Sequence, residues 1–176
     1  MKVLEDLHRY MSLLFSDRLS SQLQFNFDMK DVSCEQIAYK DYTQTLGSRG
    51  YMGLFRLKNR GFFVFIEPKI IYVLTNRCLG GQGITELKPK PILTFSEEFV
   101  GKKVLDMFTD FYKEAKLDTA LTRIETNPSL VHFFYPEETV CMIKMGCRID
   151  QNSIGSLSIC YPTLILDKKE SSWGTE

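Results

Sequence analysis

The sequence lacks an excess of either charge and any long apolar run. Lysine plus arginine number 22, as do aspartate plus glutamate, and basic residues concentrate only briefly, at Lys88-Pro89-Lys90 and Lys168-Lys169. Nucleic-acid-binding proteins usually carry a basic excess or patch, so no nucleic-acid partner is expected. No run approaches the roughly 20 apolar residues of a bilayer-spanning helix, so no direct membrane insertion is predicted. Glu5 and Asp6 interrupt the start in a way that signal peptides do not, which predicts a cytoplasmic protein.

Residues that ligate metals or act as nucleophiles are few and scattered. The cysteines form no Cys-x-x-Cys pair, and we predict reduced, mostly buried thiols; they are Cys34, Cys78, Cys141, Cys147 and Cys160. The two histidines, His8 and His132, have no cysteine or carboxylate neighbours at ligand spacing, so we predict ordinary packing or surface positions rather than a zinc site. The nucleophile pattern Gly-x-Ser-x-Gly is also missing. No catalytic residue, cofactor or metal is therefore predicted.

Three glycines in four residues, Gly80-Gly81-Gln82-Gly83, follow an apolar segment that begins at Glu67. Such a loop can end a helix, cradle an anion or present bare backbone to a partner. A phosphate-binding loop needs a lysine and a helix after its glycines, but Ile84-Thr85-Glu86 follows here and prolines come soon after. The sequence thus disfavours nucleotide binding and leaves the helix end and the contact loop open.

Apolar residues recur at helical spacing from Val3 to Leu23 and again after Ser96, which we interpret as an N-cap. A third helix is predicted from Pro68 to Leu79. Predicted strands cover residues 24–29, 52–57, 61–66, 119–124, 139–149 and 156–161, with turns at 47–50, 58–61 and 150–155. The strand at 62–66 is apolar on both faces, so we expect it at the centre of a sheet that is covered on both sides.

The order helix, strand, hairpin and proline occurs twice. An offset of 94 residues places Pro68 on Pro162, Gly61 on Gly155 and Phe65 on Ile159. A repeat of this size predicts a pseudo-two-fold domain in which the strands of both halves share one sheet. We expect one domain over residues 1–167, with half-repeats at about 1–83 and 94–167, and a polar tail at 168–176. The glycine loop then lies between the halves.

Several stretches resemble the middle domain of the FliM family of flagellar motor switch proteins. They are Arg123–Val131, Pro136–Glu138, Arg148–Asp150, Gly155–Pro162, Leu74–Gly83 and the opening helix with His8-Arg9 and Ser20–Leu23. The resemblance covers almost the whole chain and is weakest from Asp31 to Arg60. The Gly-Gly-x-Gly loop of the family matches Gly80-Gly81-Gln82-Gly83.

This resemblance implies an α/β (α+β) fold, specifically a CheC-like three-layer α/β/α sandwich with a pseudo-two-fold repeat of helix-strand-hairpin units. It also implies a non-enzymatic interaction domain of the rotor C-ring that contributes to torque transmission and to chemotactic switching of rotation direction. Such a domain would sit in the cytoplasm, peripheral to the inner membrane at the flagellar basal body. The repeat found in the sequence agrees with the implied symmetry.

The resemblance further implies partners and contact residues. FliG is the expected partner of the glycine loop, and the residues assigned to it are Arg77, Gly80, Gly81, Gln82 and Gly83. A Gly81→Val change is expected to weaken that contact without unfolding the domain. Other FliM copies are expected as neighbours, with a hypothetical self-association surface of Asp17, Arg18, Lys102, Lys103 and Asp106; a merely solvated face is the alternative. FliN and phosphorylated CheY (CheY-P) belong to the full-length context.

Two further functions can be weighed on the sequence. CheC-type phosphatases of CheY-P use a glutamate and an asparagine spaced Glu-x-x-Asn to orient a water molecule. The residues three positions before the five asparagines are Leu23, Arg56, Val73, Ile124 and Ile149. The motif is therefore missing, and this activity is disfavoured. A homologue from a type III secretion sorting platform is the other alternative, against which Tyr161-Pro162 and Arg123–Pro128 favour the flagellar family.

Overall fold

Helices flank a six-stranded sheet in the computed structural model, which describes residues 1–57, 60–82 and 92–163. The elements are α1 (Lys2–Leu23), β1 (Phe27–Ala38), α2 (Tyr39–Thr45), β2 (Tyr51–Leu57), β3 (Arg60–Ile66), α3 (Pro68–Cys78), α4 (Phe95–Glu114), β4 (Thr119–Glu125), a 3-10 turn (Pro128–Leu130), β5 (Thr139–Ile149) and β6 (Asn152–Pro162). The predicted turn residues 58 and 59, Gly83, most of the following connection and the predicted tail at 168–176 lie outside the described residues.

The strand order is symmetric about the centre of the sheet. It runs β1-β5-β6-β3-β2-β4, and every neighbouring pair is antiparallel. If β1, β2 and β3 are exchanged for β4, β5 and β6 in turn, the strand order reads the same from the other edge of the sheet. The mixed α/β fold and the repeat of helix, strand and hairpin that the sequence predicts are therefore confirmed, with β3 and β6 on either side of the pseudo-two-fold axis.

The predicted residue offset of 94 is wrong in detail. It pairs Phe65 with Ile159, but these side chains lie in clusters on opposite faces of the sheet, because successive side chains of a strand alternate between faces. In the two long helices the burial patterns match at an offset of 93. The buried residues Leu4, His8, Met11, Ser12, Phe15 and Leu19 of α1 correspond to Glu97, Gly101, Val104, Leu105, Phe108 and Tyr112 of α4, each 93 positions on.

Each face of the sheet carries its own apolar cluster. Phe62, Val64 and Ile66 of β3 join the larger cluster, which also contains residues of α1, α3 and α4. Phe63 and Phe65 join the smaller cluster, which α2 and residues 131–134 complete. The prediction that β3 is a central strand covered on both sides is confirmed. The layer of α1, α3 and α4 covers one face of the sheet, and the smaller layer of α2 and residues 131–134 covers the other. The outward sides of α1 and α4 therefore form much of the surface on the first face.

The start of α4 differs from the prediction. Thr94, rather than Ser96, is the N-cap, and Ser96 lies inside the first turn. The Thr94 hydroxyl accepts a hydrogen bond from the Glu97 backbone N–H at 3.4 Å, and the Glu97 carboxylate accepts one from the Thr94 backbone N–H at 2.7 Å. This capping box requires an acceptor three residues before a glutamate or glutamine. Ser96 would have had Phe99 in that place.

The first strand also differs from the prediction. Gln24 is not in a strand but caps α1 in a left-handed conformation with φ 54°. β1 instead begins at Phe27 and continues to Ala38, into a region for which no strand is predicted, and its pairing with β5 shifts between Lys30 and Ser33, where Asp31 has φ 55°. This bulge adds a residue to the strand and breaks the alternation that a sequence pattern depends on.

Candidate partner-binding loop

The first two glycines of the loop form the C-terminal cap of α3. The Gly81 backbone N–H donates to the Asn76 carbonyl at 2.9 Å, and the Gly80 N–H donates to the Arg77 carbonyl at 3.0 Å. Gly80 has φ 84°, in the left-handed region that disfavours other residues. These two hydrogen bonds define a Schellman motif. The helix-end role that the sequence left open is therefore present at the start of this loop.

The cap leaves one side of the loop open. A Cβ atom added to Gly80 would meet no described residue within 4 Å, whereas one added to Gly81 would overlap the carboxamide of Asn76. Gln82 is exposed, and Leu79 is 75% exposed. Gly83, the fourth residue of the predicted contact, lies outside the described residues. The backbone at Gly80 is thus both fixed in conformation and accessible.

Arg77 is engaged within the molecule. Its guanidinium forms an ion pair with Asp150 in the turn between β5 and β6, and it lies 5.4 Å from the ring centroid of Phe25. Asp150 in turn donates its backbone N–H to the Asn26 carbonyl at 3.0 Å. Three segments therefore meet beneath the loop: the end of α3, the β5–β6 turn and the connection from α1 to β1. This arrangement makes Arg77 an anchor of the loop.

The charged residues assigned to self-association lie on α1 and α4. Arg18 of α1 forms an ion pair with Glu114 of α4. Lys102 and Asp106 pair with each other at 2.8 Å along α4. The Lys103 ammonium lies 5.5 Å from the ring centroid of Phe99, and Asp17 is exposed on α1. Several of these charges thus have partners in their own chain.

Exposed apolar side chains, which are not predicted from the sequence, share the outer faces of the same helices. On α1, Val3, Tyr10 and Leu13 are 69%, 58% and 63% exposed, and their spacing of seven and three residues places them on one side. On α4, Phe95 is 85% and Phe99 is 55% exposed. The available signal was a second set of apolar residues at helical spacing, outside the stripe that faces the core.

A buried polar cluster joins α1, α4 and β6. The Tyr161 hydroxyl lies 2.8 Å from His8 Nε2 and in hydrogen-bond contact with the Tyr112 hydroxyl, while His8 Nδ1 lies 2.7 Å from the Leu4 carbonyl oxygen. Burial lowers the pKa of His8 to about 4 and raises the pKa of both tyrosines. All three side chains are neutral near pH 7, so the cluster holds the helices to the sheet without a buried charge.

Other candidate ligands are dispersed. No group of three or more histidine, cysteine, aspartate or glutamate side chains that could hold a metal ion occurs among the described residues. All five cysteines are free: three are buried, Cys34 is half-buried and Cys78 is exposed. His132 is exposed, while His8 packs in the core. In residues 1–57, 60–82 and 92–163, no helix combines the length and the apolar character that a membrane crossing requires.

Comparison with known proteins identifies the family. The model of the family "Flagellar motor switch protein FliM" matches residues 1–172. The flagellar motor switch protein FliM of Bacillus subtilis is 26% identical to this chain. The alignment covers 92% of this chain and 50% of that protein. The chain therefore spans about half the length of this relative.

Two solved structures share the fold. A chain of the FliG–FliM complex from H. pylori has a TM-score of 0.79 at 19% identity, with 92% of each chain covered. The FliM middle domain from Vibrio alginolyticus has a TM-score of 0.80 at 14% identity, with 96% of this chain and 98% of that chain covered. The family match extends over nearly the whole sequence and agrees with this common fold. The chain belongs to the FliM family of flagellar motor switch proteins.

Proposed function

We propose that this chain is a non-catalytic middle domain of a flagellar rotor and that it binds FliG through the loop Gly80-Gly81-Gln82-Gly83. Membership of the motor switch family supports this role, and the complex from H. pylori with the same fold contains FliG. The domain is taken as residues 1–167, with half-repeats at about 1–83 and 94–167 and a tail at 168–176. It would contribute to torque transmission and switching at the cytoplasmic side of the basal body.

The observation that carries the proposal is the accessible, pre-set backbone at Gly80. A loop that is already ordered loses less conformational entropy on binding than a free one. The Schellman motif fixes Gly80 and Gly81, and the Arg77–Asp150 ion pair ties their helix to the β5–β6 turn. Gly80 is exposed, and within the part of the chain that the structure describes no atom lies within 4 Å of a Cβ there, so a partner has room to approach the main chain closely. We expect Arg77 to position the loop and the glycines to make the contact.

The test uses a Gly80→Asn variant. Asparagine tolerates the left-handed conformation better than most residues, so the cap should persist while a side chain obstructs the approach. We expect a melting temperature within about 3 °C of the parent and a FliG dissociation constant raised at least about tenfold, the equivalent of about 1.4 kcal/mol. Calorimetric titration of the purified chain with FliG measures the second quantity.

The control is Gly47→Ala, because among the described residues a Cβ there meets only the Arg49 carbonyl at 3.7 Å, an ordinary contact. This variant should bind FliG as the parent does. Gly81→Val is a poorer test, since its side chain would displace Asn76 and disturb the cap itself. Unchanged FliG affinity in a folded Gly80→Asn variant would exclude the loop as the contact.

We propose that the outer faces of α1 and α4 contact neighbouring copies of the same protein. Exposed apolar side chains there would form the centre of the contact, and the charges of Asp17, Lys102, Lys103 and Asp106 would lie at its polar rim. Arg18 would contribute through its position beside Glu114 rather than as a free charge. FliN and CheY-P are assigned to segments of the full-length protein outside this domain.

A further inference from the structure

Two thiols from neighbouring strands are in contact at the edge of the sheet. Cys34 of β1 lies opposite Ile143 of β5, and Cys141 of β5 lies opposite Gln36 of β1. The two cysteines are therefore diagonal neighbours on the same face of the pair. Their Sγ atoms are 3.3 Å apart. A disulfide has a sulfur–sulfur distance of about 2.05 Å, so bond formation requires the two sulfur atoms to approach by a further distance of about 1 Å.

The two thiols differ in access. Cys141 has no exposed surface, whereas Cys34 is half-buried on the edge strand. A small oxidant can thus reach Cys34 from solvent and find Cys141 directly behind it. Cys147 and Cys160 are buried, and Cys78 is exposed at the end of α3. The pair combines an accessible thiol with a second thiol in contact, the arrangement of a site that resolves oxidation as a disulfide.

We propose that Cys34 and Cys141 are a modification site that a peroxide converts to a disulfide, which fastens β1 to β5. The Cys34 thiolate attacks one peroxide oxygen; the sulfur–oxygen bond forms, the oxygen–oxygen bond breaks, and the leaving hydroxide takes the thiol proton to become water. Cys141 then attacks the Cys34 sulfur, displaces hydroxide and gives up its own proton to it. Two thiols are oxidised, and one peroxide is reduced to two waters.

The environment sets a slow rate for this reaction. Burial raises the pKa of the Cys34 thiol and raises the pKa of Cys141 to about 12. Since the thiolate is the attacking form, little of it exists at neutral pH. The site therefore responds to sustained rather than brief exposure to peroxide. Its rate of disulfide formation should increase as pH rises from 7 to 9, because the thiolate fraction grows.

The bond would stabilise the edge of the molecule. β1 is an edge strand whose neighbour in the sheet is β5, and α1 lies against it, with the Ser16 hydroxyl accepting a hydrogen bond from the Met29 backbone N–H at 2.9 Å. The cysteines are separated by 107 positions, so their link would remove much conformational freedom from the unfolded chain. Oxidation would keep β1 and the overlying α1 in place and raise the melting temperature.

The experiment treats the purified chain with hydrogen peroxide at pH 7 and pH 9, blocks remaining thiols with N-ethylmaleimide and analyses peptides by mass spectrometry without reduction. We expect a peptide pair joined through Cys34 and Cys141, two hydrogens lighter than the separate peptides, which forms faster at pH 9. The melting temperature should rise by roughly 5–15 °C and return to its starting value with dithiothreitol.

Three variants make the result specific. Cys34→Ser and Cys141→Ser should each abolish both the linked peptide and the rise in melting temperature. If Cys141→Ser impairs folding because Cys141 is buried, Cys34→Ser still tests the proposal, since Cys34 is only half-buried. Cys78→Ser removes an exposed thiol and should leave both results intact. Oxidation of Cys34 to its sulfinic acid without a link to Cys141, or a melting temperature that does not rise on linkage, would overturn the proposal.

Discussion

At the scale of single residues, His8 shows how a neutral polar group is kept in the core. A helical backbone carbonyl, that of Leu4, can only accept, so the Nδ1 atom of His8 must carry the proton. Nε2 therefore accepts from the Tyr161 hydroxyl, and Tyr161 accepts from Tyr112. The chain of hydrogen bonds runs in one direction from α4 through β6 to α1. Protonation of His8 at Nε2 would remove the acceptor of the Tyr161 hydrogen bond.

This arrangement predicts acid sensitivity. The pKa of His8 is about 4 in the folded chain, against 6.5 in an unfolded one, so the unfolded state binds the proton more tightly. The free energy of unfolding is therefore highest above pH 6.5. It falls by up to about 3 kcal/mol as the pH is lowered towards 4, because the unfolded state takes up the proton first. Urea unfolding at pH 7, 6, 5 and 4.5 measures it.

The comparison variant is His8→Gln, which should start from a lower stability but show a shallower fall with acid. His132→Gln changes an exposed histidine and should keep the slope of the parent. Equal slopes in the parent and in His8→Gln would contradict the assignment, because the proton uptake would then belong to other groups. Sequence alone does not distinguish the two histidines, since burial of His8 depends on Tyr112 and Tyr161, which are distant in the chain.

At the scale of elements, the capping box of α4 can be tested against the neighbouring hydroxyl. Thr94→Ala should lower the free energy of unfolding by about 1 kcal/mol, because the Glu97 N–H loses its acceptor. Ser96→Ala, inside the first turn, should change it by less than about 0.5 kcal/mol. Thermal or urea unfolding of the two variants decides the matter, and a larger loss in Ser96→Ala would place the cap where the sequence suggested it.

The elements also show why prediction from sequence worked unevenly. The long helices follow from apolar residues at helical spacing, and β3 follows from its unbroken apolar run. β1 does not follow, because its bulge at Asp31 interrupts the alternation and, among the described strands, it pairs with β5 alone. β4, at the opposite edge, has a similar register shift: Leu54 of β2 pairs with Arg123, but the next residue, Phe55, pairs with Leu121. Bulged edges discourage pairing with further strands, so contacts between copies are expected through helices.

At the scale of the whole molecule, the repeat of helix, strand and hairpin was readable in the sequence, but its residue correspondence was not. Few residues are identical between the halves, and the proline and glycine that match at an offset of 94 miss the offset of the two long helices by one position. The burial patterns of α1 and α4 fix the offset at 93. Phe15 of α1 and Phe108 of α4, which correspond at that offset, pack against each other with ring centroids 4.5 Å apart. The same placement turns the other sides of both helices outward, where their exposed apolar side chains are accessible.

That outward placement predicts which variants change assembly without changing the fold. Tyr10 and Leu13 are more than half exposed, so Tyr10→Glu with Leu13→Glu should leave the melting temperature within about 3 °C of the parent. Charges on an apolar contact should weaken association of copies, as their desolvation opposes it. Sedimentation should show a mass that rises with concentration for the parent and rises less for the variant.

The control is Gln44→Glu, on α2 across the sheet, which adds a charge elsewhere and should behave as the parent. A parent that stays monomeric at high concentration, or equal association of all three proteins, would exclude this face.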